Sequence, residues 1–89
     1  MPVLCTFLIN ACGSAPVQEM SEARQAIEAA RVAGAEQYAP EQYGKARSLL
    51  ESAEDMLNNH RFSKARESAA LARDEAIGAR EVAQEVAAE

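Results

Sequence analysis

Tryptophan is missing from this chain of 89 residues, histidine occurs once, and the other aromatic side chains are two tyrosines and two phenylalanines. A core built on large rings is therefore excluded. A zinc site based on histidine, or a Ser-His-Asp relay, would rest on His60 alone. His60 stands in the turn-like stretch "NNHR" beside Arg61, where it reads as a surface or helix-capping residue. The patterns HExxH, CxxC and GxGxxG and the phosphate-binding loop are absent as well. Glu51, Glu54 and Asp55 gather in one stretch, but Arg47 lies four residues before Glu51, so this group reads as a solvated helix face. No enzyme activity, catalytic residue, metal site or cofactor is expected.

Long apolar runs are also lacking. The longest, Val3 to Ile9, is broken by Thr6. As a helix it would cover about 10 Å, a third of the hydrocarbon core, and so would not span a bilayer. Residues 1–11 carry no charge, so the net charge of −5 belongs to the remainder. That excess is expected to repel nucleic acid and anionic membrane surfaces.

Alanine is what the chain has in quantity. Twenty of the residues behind its 48% hydrophobic fraction are alanine, which leaves little bulk for a core. Each larger apolar side chain contributes about 1.5–3 kcal/mol on full burial. Ordering costs roughly 1.5 kcal/mol per residue, so a marginal fold is expected, one that a partner, an oligomer or an anchor would support.

From Met20 onward the apolar positions advance in alternating steps of three and four. Met20, Ala23, Ile27, Ala30 and Gly34 form one stripe, and Tyr43, Ala46, Leu50, Ala53 and Leu57 a second. The third comprises Phe62, Ala65, Ala69, Ala72, Ala76, Ala79, Ala83 and Val86. This period predicts an all-α domain over 18–89 with three helices, at about 18–35, 41–59 and 62–87. Gly34, Pro40 and the asparagines of "NNHR" supply the breaks, and Ser63 or Arg61 marks the third start. The expected architecture is dominated by an antiparallel hairpin of the second and third helices, the third being the longest.

The stretch "LINAC" resembles the lipobox of bacterial lipoproteins: aliphatic residue, tolerant position, small residue, cysteine. The resemblance implies a signal peptide over 1–11, cleavage between Ala11 and Cys12, and a lipid on Cys12, with 12–17 as lipidated cysteine and linker. No lysine or arginine precedes the apolar run, so the leader is expected to begin upstream. Gly13, where an aspartate would hold the protein at the inner membrane, implies by the same resemblance a periplasm-facing location at the outer membrane. Cys5 and Cys12 are about 10 Å apart along a helix, beyond the ~4.4–6.8 Å that a disulfide tolerates.

Two further resemblances concern the body. Ala53, Leu57, Phe62, Ala65 and Ala69 fall where a tetratricopeptide-type helix pair places its packing residues, although the tryptophan and Leu-Gly positions of that pattern are absent. More broadly, "APVQEMSEARQAIEAARVAGAEQYAPEQ" and the hairpin after it resemble small alanine-rich bacterial envelope lipoproteins classed as a domain of unknown function. That domain also occurs ahead of OmpA-like domains. The matching positions are helical packing residues and the "YAP" turn, so the resemblance implies no catalytic residue, and peptidoglycan association is left open.

Arg66, Arg73 and Arg80 recur every seven residues, as do Glu67, Asp74 and Glu81, and Arg24 and Arg31 repeat the interval. Such stripes flank the core of a single bundle or pair it with another chain. The third helix, at about 39 Å, should outrun the second, at about 29 Å, by roughly two turns. Val82 and Val86, with Arg80 and Glu81 beside them, are the expected contact surface there, for a second copy or a protein partner. The functional expectation is an envelope protein bound to the membrane through a lipid on Cys12, serving as a small helical interaction or structural module. The alternative is a self-associating coiled-coil lipoprotein like the murein lipoprotein class. Against it stand Pro40, which interrupts a continuous helix, and "EVAAE", which carries no lysine of the kind those proteins use for wall attachment. A soluble helical protein with a disordered N-terminus ranks third.

Overall fold

The steps of three and four become four helices over residues 15–89, the part that the computed structural model describes. Helix α1 is Val17–Val32, α2 Ala35–Tyr38, α3 Pro40–Asn58 and α4 Phe62–Ala88. No strand occurs among the described residues. The leader 1–11 with Cys5, the cleavage point at Ala11, and Cys12 lie outside them.

The expected first helix, 18–35, ends at Val32 before the expected break at Gly34, and a short fourth helix that was not expected, α2, follows it. Gly34 takes a left-handed φ of 95°, which ends α1, and its carbonyl then accepts the amides of Gln37 and Tyr38 to open α2. A Cβ at this glycine would lie 3.1 Å from the Tyr38 ring, so backbone and packing both call for the missing side chain. Pro40 then begins α3 as its first residue, where no amide hydrogen is needed.

The chain runs up, down and up. Lys45 stands opposite Glu75 and Leu49 opposite Ser68, so α3 and α4 are antiparallel. Glu19 meets Arg66 and Glu22 meets Arg73, so α1 runs parallel to α4. The α3–α4 hairpin makes the most extensive contact of any two helices, and α1 packs along α4 next most extensively, which makes α4 the central helix of the bundle.

Its seam is alanine except for Ser68: Ala65, Ala69, Ala72, Ala76, Ala79 and Ala83 are all fully buried. One layer joins Met20, Ala23, Ala53, Ala69 and Ala72. The other joins Ala30, Ala35, Ala39, Tyr43, Ala46, Ala76, Ala79 and Ala83. Alanine lets helix backbones approach closely, and that closeness leaves little central room for longer side chains. Ile27, Leu49, Leu50 and Leu57 therefore pack at the margins, half-exposed, while Met20 and Tyr43 alone bring large side chains fully inside with Pro16. Ser68 is also buried; its hydroxyl donates to the Leu49 carbonyl at 2.7 Å and ties α4 to α3.

The two uncovered turns expected at the end of α4 are reduced to less. Ala79 and Ala83 are buried against Ala35 and Ala39, since the α2 segment folds over this part of the helix. Only residues 84–89 are exposed without interruption.

Candidate functional site

The regular arginines act mostly within the bundle. Arg66 reaches Glu19 at 3.4 Å and Arg73 reaches Glu22 at 3.3 Å, both from α4 to α1. Arg24 meets Glu54 across α1 and α3 at 3.3 Å, and Lys45 meets Glu75 across α3 and α4 at 3.5 Å. Arg31 pairs with Glu28 on its own helix. The heptad spacing thus sets three helices side by side. Arg80, the last of the series, makes no ion pair among the described residues.

Glu22 is held from two sides. The Gln18 amide donates to one oxygen at 3.0 Å and the Arg73 guanidinium to the other at 3.3 Å. The Gln18 bond is the largest influence and holds its pKa below the ordinary value; desolvation opposes it, and the bond and charge of Arg73 each add a lesser lowering. Arg31 does the same for Glu28. The pKa of Arg73 is raised, chiefly by its hydrogen bond to Asp74 at 3.0 Å, and that of Arg31 by Glu28.

Grooves lie between the helices beside these pairs. Between α1 and α4 runs a groove of about 280 Å³ lined by Ala26, Ala29, Ile77 and Arg80, and between α3 and α4 one of about 270 Å³ lined by Leu49, Met56 and Leu71. Both fall below the usual 300–1,000 Å³ of ligand pockets. A larger depression of about 730 Å³ lies beside Gln18, Glu22, Gln25 and Arg66. Among the described residues no three of the His, Cys, Asp and Glu side chains stand together as metal ligands. Of the expected acidic group, Glu54 is taken by Arg24, while Glu51 and Asp55 are exposed.

The expected contact residues share the end of α4. Val82 and Val86 are 39% and 36% exposed, and Arg80 and Glu81 are exposed beside them. Two positions escaped the reading of the sequence. Ser68, three residues after Ala65 and four before Ala72, sits on the seam by spacing alone, which was the available signal. The other is the left-handed residue of the α3–α4 turn: His60, not an asparagine, takes a φ of 61°, and its ring lies 5.6 Å from that of Phe62. Arg61 and Lys64, exposed on either side of Phe62, make no ion pair among the described residues.

No curated protein and no solved structure matches the chain. A family sequence model does, over residues 18–89, and the chain belongs to that family, a domain of unknown function (DUF4398).

Proposed function

We propose that the chain is a lipid-anchored protein of the bacterial cell envelope, held at the periplasmic face of the outer membrane by Cys12 and serving as a small helical interaction or structural module. The observation that carries this reading is the order of signals along the chain. The apolar run, Ala11, Cys12 and the spacer "GSAP" follow one another, and α1 opens at Val17, where such a spacer ends. The family match begins one residue later. Among the described residues no helix is long and apolar enough to cross a membrane, so attachment falls to the lipid in this reading. The experiment is the intact mass of the protein taken from membranes, with Cys12→Ser beside it. The native chain should carry the lipid increment on a cysteine freed of its leader, and the variant should lose the increment and leave the membrane fraction. Equal masses and equal fractionation would overturn the proposal.

Within that reading, half-exposed Val82 and Val86 favour self-association through the end of α4. Val82→Asp with Val86→Asp should lower the sedimenting mass while the helical content stays as it was. An unchanged assembly state would leave this end without the role.

A further inference from the structure

Leu71 is 53% exposed, although it stands well inside α4. Val17 and Val32 are more exposed, but they are the first and last residues of α1. Beside Leu71 runs the groove of about 270 Å³ between α3 and α4, which Leu49, Met56 and buried Ser68 line. An apolar knob thus adjoins a shallow cleft. Lys64 and Glu67 line the same groove, both exposed and neither in an ion pair among the described residues. They stand one turn apart on α4 with opposite charges. Glu51, Asp55 and Arg61, the other exposed charges at this end, do not line the groove.

We propose that this face is covered by a second copy of the chain, in an antiparallel two-fold pairing that sets Lys64 of each copy against Glu67 of the other. A surface with an unpaired base and an unpaired acid one turn apart becomes its own electrostatic complement when turned about a two-fold axis between them. A partner surface of uniform charge would satisfy only one of the two. The axis also decides the apolar contacts. Lys45 stands level with Glu75 and Gln42 with Gly78, so Met56 is level with about Lys64. Met56 and Leu71 therefore lie on opposite sides of an axis between Lys64 and Glu67, and the pairing carries each Leu71 over the Met56 end of the other groove. Leu71 and the cleft supply affinity, while the charges set register and orientation. The face is a different one from the end of α4 that holds Val82 and Val86, and the pairing does not depend on a lipid at Cys12.

The test uses the full chain in reducing buffer, with Val82→Asp and Val86→Asp in the parent to take the end of α4 out of the measurement. Lys64→Glu alone sets two acids against each other across the axis, and Glu67→Lys alone sets two bases. Each should weaken self-association, followed by sedimentation over a concentration series, by about tenfold or more. An equimolar mixture of the two variants restores opposite charges at both contacts, and so does Lys64→Glu with Glu67→Lys in one chain. Both should associate within about threefold of the parent. Leu71→Asp, a change at an exposed position, should leave a monomer whose circular dichroism and melting match the parent. A parent that stays monomeric throughout the series, single variants that associate as it does, or a mixture no stronger than its two components would overturn the proposal.

Discussion

His60 bears the only positive φ outside glycine among the described residues, 61°. It occupies the residue after the C-cap of α3 in a paired closure. The His60 amide donates to Leu57 at 3.0 Å and the Arg61 amide to Met56 at 2.8 Å, which satisfies carbonyls that the helix end leaves open. A residue with a Cβ holds this left-handed geometry at a cost of roughly 1–2 kcal/mol, part of which glycine recovers. His60→Gly should therefore raise stability by about 0.5–1 kcal/mol, read as a higher melting midpoint, while His60→Ala should bring no such gain. From the sequence, "NNHR" was legible as a turn, but the left-handed position was expected at an asparagine. Asn59 has a φ of −96° and spends its side-chain amide on the Asp55 carbonyl at 3.0 Å instead. Which of three adjacent residues turns depends on where Leu57 and Phe62 must pack, and local propensity does not carry that information.

Among the elements, α4 was the most legible, because six of its alanines, Ala65, Ala69, Ala72, Ala76, Ala79 and Ala83, keep one period and are all buried. Helix α2 was not. Gly34 was legible as the break after α1, but Ala35–Tyr38 is only four residues long, too short for a period of three and four to show, although Ala35 shares a core layer with Ala30. The covering of Ala83 by the α2 segment was lost with it. The seam makes a sharp demand on size and polarity. Ala69→Arg or Ala72→Arg would bury a guanidinium between close helices with no partner, at a cost of several kcal/mol in a fold of marginal stability. Cooperative melting followed by circular dichroism should disappear in these variants. Ala70→Arg, one residue away and half-exposed, should keep it. An unchanged midpoint in Ala72→Arg would mean that the alanine seam does not face the other helices.

Taken whole, the molecule holds few large buried side chains, and ion pairs join each helix of the up-down-up bundle to both of the others. The arginine period was legible as a stripe beside the core, but whether its partners lay in this chain or another was not. That depends on α1 running parallel to α4, a matter of tertiary arrangement. The lipid signal lies outside the described residues, so the site proposed for the anchor still rests on the sequence. The ion pairs make stability depend on acidity, with a sign fixed by the carboxylates. Gln18 and Arg73 lower the pKa of Glu22 in the folded protein, and Arg31 lowers that of Glu28. A carboxylate lowered on folding stabilises fully above its ordinary pKa, here 4.5, and that contribution vanishes as pH falls through the lower folded value. The melting midpoint should accordingly hold steady from neutral pH down to the region of 4.5 and decline below it. Glu22→Gln removes one such carboxylate together with its ion pair to Arg73. It should lower the midpoint at neutral pH and flatten the acid decline, because less remains to be lost. Added salt should do the same to the wild type, since these pairs are exposed enough to be screened. An acid decline of equal steepness in Glu22→Gln and wild type would place the controlling carboxylates elsewhere in the chain.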